Sequence, residues 1–272
     1  METFPPYVHG FSHSELMAPP LQLQFQHTYY HQSVRLPTNI IGLANYFTEG
    51  RFAGQTLRAE LREIQRPEYG RRFGAVDKRV LDDPPVVLLR FFEILDAGTA
   101  QEREMEIQTY HDILLAGLMC MAELFELPEN LGFYHAPDNG CLNRTPWLFG
   151  AKFVEPYAIK SDETGQKHLL FTFSDLAVQL EGHFLLRYRF FDIFSNPSRI
   201  LAECHGEPFR MYSSKKAPSL KESTTLTKRL GTQGVPVKIR KRRRAPRKNK
   251  DLADRKDDQD MNSASPSSSS SV

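Results

Sequence analysis

From Leu169 to Phe194 the chain reads LLFTFSDLAVQLEGHFLLRYRFFDIF, and here apolar and polar residues alternate more clearly than anywhere else. Leu176, Val178 and Leu180 fall on one side of an extended backbone, with Ala177, Gln179 and Glu181 on the other. Beyond Gly182, residues Phe184, Leu186, Tyr188 and Phe190 resume the pattern, opposed by Arg187 and Arg189. Period two marks half-buried strands, because successive side chains of an extended backbone point to opposite faces. The stretch predicts two antiparallel strands joined by a tight corner at Glu181-Gly182-His183-Phe184. A glycine two residues before the aromatic that opens a strand resembles the E–F corner of immunoglobulin-like sandwiches, and Leu186 stands where antibody domains carry their second cysteine. The expected fold is an all-β, immunoglobulin-like sandwich without that disulfide; an unspecified antiparallel meander is the alternative.

The rest of the chain supplies strands at turn-bounded intervals. Ser33 to Pro37 reads as an edge strand stopped by its proline. Leu57 to Ile64 carries helix-favouring residues, yet Leu57, Ala59 and Leu61 alternate, so a strand is expected. Val86 to Ile94 is a near-continuous apolar run of strand length, which predicts a central strand covered on both faces. The acidic segment Glu102 to Glu106 marks a turn or insertion. Ile113 to Leu127 leaves two readings open: a helix by propensity, or a strand from Leu118 to Phe125, with Gly117 and Pro128 as breakers. Trp147 to Val154 restarts a strand, and Ser161 to Lys167 is a hairpin turn. Asn196-Pro197-Ser198 closes the central pair, and Ile200 to Cys204 and Pro208 to Tyr212 are short further strands. Ser223 as N-cap, Leu226 and Leu230 on one face and Gly231 as a stop predict a short helix. Val235 to Arg240 is read as a last strand. The expected organisation is a disordered segment over 1–24, the sandwich over 25–245, and a charged, Ser-rich, disordered tail over 246–272.

Chemistry is sparse. There is no phosphate-cradling glycine loop, no HExxH and no GxSxG, and Ser174 beside Asp175 lacks an indicated base, so no catalytic residue is assigned. Cys120, Cys141 and Cys204 form no CxxC; Cys204-His205 has no partners at ligand spacing, so neither a metal site nor a cofactor is expected. No apolar run approaches the length of a membrane span, and a soluble, reduced, intracellular protein is expected. Charge is the informative feature. Residues 238–250, KIRKRRRAPRKNK, hold nine cations and no acid; without them the net charge of +2 becomes −7. Such focused charge suits an address or a polyanion. Lys241, Arg242, Arg243, Arg244, Arg247 and Lys248 fit a nuclear import signal. A second group, Arg66, Arg71, Arg72, Lys78 and Arg79, lies in the Gly- and Pro-punctuated loop from Gln65 to Pro85, expected to be flexible and exposed. With Lys238 and Arg240 these are the candidate DNA-contacting residues, provided the two groups meet at one end of the sandwich.

The stretches GRFAGQTLRAELREIQRPEYGRRFGAVDKRVLDDPPVVLLRFFEI, WLFGAKFVEPYAI, LLFTFSDLAVQLEGHFLLRYRFFDIFS, AECHGEPFRMYSSKKAPSLKESTTLTKRL and GVPVKIRKRRR together resemble the fungal velvet family, over about Tyr29 to Arg244. The resemblance implies a Rel-type sandwich that binds double-stranded DNA, with Arg71, Arg72, Lys78 and Arg79 in the family's DNA-contacting loop. It also implies dimers with itself or other velvet-family proteins, a methyltransferase-like nuclear regulator as a further partner, and a nuclear location with cytoplasmic shuttling. The implied role is control of fungal development, sporulation and secondary metabolism. This chain departs from many relatives in having Phe73-Gly74 for Cys-Gly, Lys78-Arg79-Val80 for Arg-Arg-Pro, and an additional acid in Asp82-Asp83.

Overall fold

Val86 to Leu95 is the strand around which one half of the protein assembles, because both of its faces are apolar at its start. Val87, Leu89 and Phe91 point into the main core, while Val86 and Leu88 join a second apolar cluster on the opposite face. The computed structural model describes residues 41–72, 79–110, 113–128, 140–161, 164–195 and 198–241. The chain divides into two units at Asn39, and every described residue belongs to the second. The expected Ser33–Pro37 strand, the 1–24 segment, the 246–272 tail and the residues Asn196-Pro197 lie outside the described residues.

In chain order the strands are β1 (Asn45–Tyr46), β2 (Thr56–Gln65), β3 (Tyr69–Arg71), β4 (Val86–Leu95) and β5 (Arg103–Glu106). Then follow β6 (Leu118–Glu126), β7 (Leu142–Asn143), β8 (Leu148–Phe149), β9 (Phe153–Val154) and β10 (Pro156–Lys160). The last are β11 (Lys167–Thr172), β12 (Ala177–Val178), β13 (Gly182–Asp192), β14 (Ile200–His205) and β15 (Phe209–Tyr212), before one helix, α1 (Thr225–Thr232). One sheet runs β1-β2-β4-β11-β10, with β5 on β4; a second runs β3-β15-β13-β6-β7, with β14 on β13 and β9 on β6; β8 and β12 form a small two-stranded sheet of their own. Among the described residues every pairing of these strands is antiparallel except β15 with β3. The protein is an all-β sandwich.

Aromatic side chains from the two sheets interlock between them. Phe190 of β13 lies 5.7 Å from Phe91 of β4 and 5.9 Å from Phe171 of β11, and Phe173 lies 5.5 Å from Tyr188. Phe184, Leu186, Tyr188 and Phe190 are all buried, as the period-two reading of β13 requires. The opposed Arg187 and Arg189 bond outward to Glu123 and Glu203 on the flanking strands β6 and β14.

The structure corrects several expectations. The two strands predicted on either side of Gly182 do not pair with each other: the first is reduced to β12, which pairs with β8 in a two-stranded sheet of its own, and the second is β13, which pairs with β6, β14 and β15. Period two fixes which side chains share a face, not which strand is the neighbour. Between β11 and β13 only Ala177–Val178 is a strand, paired with β8, and Ala177 is as buried as Val178. Trp147 to Val154 is broken: a 3-10 turn covers Thr145–Trp147, β8 turns to β12, and β9 attaches to β6. Glu104 and Glu106 belong to a strand, β5, whose carboxylates meet Arg58 and Arg90. Of the open readings for 113–127, the strand is the one realised. The helix is capped by Thr224, which accepts from the Thr227 amide at 3.1 Å, rather than by Ser223, whose hydroxyl is occupied by the Arg240 amide. Gly231 lies inside the helix instead of ending it. Val235 to Arg240 joins no ladder, and the Val237 amide bonds back to the Val235 carbonyl at 2.8 Å; its valines pack onto the second cluster, beside the helix residues Leu226 and Leu230.

Candidate nucleic-acid interface

The Gln65–Pro85 loop is anchored where free, exposed backbone was expected. Tyr69, Gly70 and Arg71 form β3, which lies parallel to Arg210, Met211 and Tyr212 of β15. Gly70 permits this approach, since a Cβ there would stand 2.2 Å from the Met211 sulfur. The Tyr69 hydroxyl donates to the Ser219 carbonyl at 2.7 Å, and Tyr69 also bridges to Asp82, so the loop leaves and returns at one place. Leu81 then ties the return to the rest of the fold, donating to the Leu176 carbonyl at 2.7 Å.

This closure brings the two basic groups together. A groove of about 270 Å³ is walled by Tyr69, Gly70 and Arg71 on one side, Arg79 and Val80 on another, and Leu220, Lys238 and Arg240 on the third, with Asp82 among them. Four of the predicted contact residues therefore share one site: Arg71, Arg79, Lys238 and Arg240. Arg66 and Arg72 do not line it; Arg66 faces Glu207 at 3.9 Å, and Arg72 pairs with Glu181 at 3.1 Å, both with exposed side chains. Lys78 and the import-signal residues Arg242, Arg243, Arg244, Arg247 and Lys248 lie outside the described residues, and Lys241 is exposed at their edge.

Charge is distributed unevenly over the molecule. On the outer face of the first sheet, Arg58 and Arg90 flank the Phe92 ring at 4.2 and 4.8 Å and bond to Glu60, Glu104 and Glu106. On the second, Arg187 and Arg189 interleave with Glu123 and Glu203. These cross-strand ladders pair much of the charge on both faces, while Arg62 of β2 and Arg210 of β15 make no ion pair among the described residues. At the groove, by contrast, Lys238 and Lys241 are exposed and make no ion pair among the described residues, and the same holds for Lys215 and Lys216 beyond the end of β15. Exposed pairs such as Arg72–Glu181 contribute ~1 kcal/mol or less and exchange readily for a phosphate.

Acids are also present. Arg240 is ion-paired to Asp82 and lies 3.7 Å from Asp83, and burial pushes the Asp83 carboxyl above its ordinary range. Arg71 donates to the Pro218 carbonyl at 2.7 Å. Lys215, Lys216 and Arg210 were not among the residues singled out for DNA contact. Lys215-Lys216 is legible as a basic turn, but its place beside Arg72 follows only from the parallel pairing of β3 with β15, which the Arg72 amide extends by donating to the Tyr212 carbonyl at 2.8 Å.

Other candidate groups are structural. The Asp175 carboxylate accepts from the Ala151 amide at 2.9 Å, holding a turn. Burial pushes the Cys204 thiol up to about 12, which makes it a poor nucleophile. No cluster of three or more metal-ligating side chains occurs among the described residues, and no described helix is long and apolar enough to cross a membrane.

Comparison with known proteins adds independent information. The family model described as velvet factor matches residues 133–244. A probable velvet family sexual development regulator of Schizophyllum commune is 42% identical, covering 74% of this chain and 79% of its own length. A protein of the same description from Laccaria bicolor is 37% identical, over 93% of this chain and 91% of its own. Velvet complex subunit 2 of Gibberella moniliformis is 39% identical over a shorter region, 35% of this chain and 23% of that protein.

Proposed function

The chain belongs to the velvet family, and from that premise we propose that it is a nuclear, DNA-binding regulator of fungal sexual development that acts as a dimer with itself or another velvet-family chain. Relatives are named as regulators, which favours a non-enzymatic role. The observation that carries the DNA reading is the convergence of Arg71, Arg79 and Lys238 on one groove. Backbone phosphates are met by such a lip of cations, and the Lys241–Arg244 run follows Arg240 directly in the sequence. Arg71 and Arg79 line the groove and are our candidates for reading base edges, since arginine recognises guanine with two hydrogen bonds. Nuclear import through Lys241 to Lys248 is part of the same proposal, as are the wider effects on sporulation and secondary metabolism.

A second reading draws on the Gibberella relative, named as a subunit of a complex: the sandwich serves as an adaptor, the basic run serves import only, and a partner reads DNA. Selection of the purified chain against a random duplex pool, repeated across a salt series, separates the two. Direct readout enriches a motif. Changing Arg71, Arg72, Lys78 and Arg79 together to Ala then flattens the slope of log K against log salt by up to about 3.6, since each lost phosphate contact accounts for ~0.9. Weak, unselective binding that these changes leave untouched moves the reading to the adaptor.

A further inference from the structure

Arg240 faces the groove but is already engaged by the protein through Nε and Nη2. Its guanidinium is ion-paired to Asp82 and lies 3.7 Å from Asp83, and its Nε donates to the Lys221 carbonyl at 3.0 Å. Its backbone is held as well: the amide donates to Ser223 Oγ at 2.9 Å, and the carbonyl accepts from the Ser223 amide at 3.2 Å. Ser223 is buried and immediately precedes the Thr224 cap of α1. The residues before Arg240 alternate. Val235 and Val237 pack onto the second cluster and Ile239 lies against Gly231, where an added Cβ would stand 2.5 Å from its Cδ1. Pro236 and Lys238 are left facing outward, and Lys238 makes no ion pair among the described residues.

We infer that Arg240 is a positioning residue and not a phosphate ligand: Asp82 and Asp83 clamp it, and the clamp fixes the register of the C-terminal strap so that Lys238 and Lys241 stand at the lip of the groove. This rests on the DNA-binding reading of that groove. A phosphate that captured the Arg240 guanidinium would strip the partner from Asp82, whose side chain is only 7% exposed. A buried carboxylate left without its cation is strongly unfavourable, so the exchange is opposed where the same exchange at exposed Arg72 is not. The acid at Asp82, which by charge alone weakens anion binding, therefore contributes to it by holding the strap.

The test exploits that reversal of sign. Duplex binding by the full chain is measured by fluorescence anisotropy across a salt series for wild type, Lys238→Ala, Arg240→Lys and Asp82→Asn. Lys238→Ala reduces the salt slope by about 0.9, as one lost contact does. Arg240→Lys keeps the charge but not the planar fork that spans two carboxylates and a carbonyl, so the strap loosens and the slope falls by about 1.8, the loss of Lys238 and Lys241 together. Asp82→Asn removes a negative charge beside the groove and nevertheless weakens binding. It also serves if Arg240→Lys folds poorly, because it leaves no buried charge unpaired. Arg240→Lys binding like wild type, or Asp82→Asn binding more tightly, would overturn the inference. If wild type itself shows no salt-dependent binding, the DNA reading fails and the clamp is judged separately by hydrogen exchange: Asp82→Asn must then speed exchange of the Arg240 amide, and unchanged protection refutes the clamp.

Discussion

Replacing Glu63 by Gln tests how the groove end of the sandwich is fastened. Glu63 lies near the end of β2, where one carboxylate oxygen accepts from the Tyr188 hydroxyl and the other from the Glu207 amide, each at 2.7 Å. Gly206 packs so closely that a Cβ would approach the carboxylate to 2.5 Å. Burial outweighs these hydrogen bonds and pushes the Glu63 carboxyl up from 4.5 to about 7. Between those two values the folded state binds more protons than the unfolded chain, so this group's contribution to stability falls as pH rises and is flat above the window. A rise of roughly 2.5 pH units at ~1.4 kcal/mol each sets an upper bound of about 3.5 kcal/mol. Glutamine stays neutral and can still bond to both Tyr188 and Glu207. Urea unfolding of wild type and Glu63→Gln at pH 5 and pH 8 isolates this group, because the other titrations cancel in the difference. The variant should gain on wild type between the two pH values by up to about 3 kcal/mol. A wild-type-to-variant difference that does not change with pH would refute the reasoning.

Three further substitutions probe the architecture. Phe190→Ala empties the place where Phe91 and Phe171 meet and should cost about 3–5 kcal/mol in denaturant unfolding. Arg51→Met leaves Asp192, with a side chain only 3% exposed, without its 3.0 Å partner, and a loss of roughly 3–5 kcal/mol is expected; parity with wild type would mean that Asp192 is protonated or hydrated instead. Thr224→Ala removes both the helix cap and the bond to Gln65 of β2, so thermal unfolding should show about 1–2 kcal/mol of destabilisation.

The position of the groove has a structural logic. Antiparallel sheets can expose a polar face, and here both outer faces carry arginines matched across strands by glutamates. These pairs hold much of the charge on the faces within the protein, although Arg62 of β2 and Arg210 of β15 are exposed without an ion pair among the described residues. The strap and the turn after β15 add Lys238, Lys241, Lys215 and Lys216, likewise exposed and without an ion pair among the described residues. That uneven pairing is why a chain of net charge only +2 presents a concentrated basic site.

Much of this was legible in the sequence. Period two placed Phe184, Leu186, Tyr188 and Phe190 in the core, and the unbroken run at Val86 announced a strand covered on both sides. Both are local properties: alternation follows from backbone geometry, and an apolar residue must be buried whatever covers it. The basic groups at Arg71–Arg79 and Lys238–Lys248 were visible as composition. What covers β4, which strand neighbours β13, and where the two basic groups meet are long-range facts. α1 and the strap cover β4 from more than a hundred residues away. β12 turns to β8 rather than to β13, where a hairpin would fit the same pattern. The groove exists because β3 joins β15 in parallel, through a glycine with no Cβ to obstruct Met211, and because Asp82 holds Arg240. Only the tertiary structure decides such matters, since each depends on contacts between residues that the sequence separates and whose pairing no local periodicity encodes.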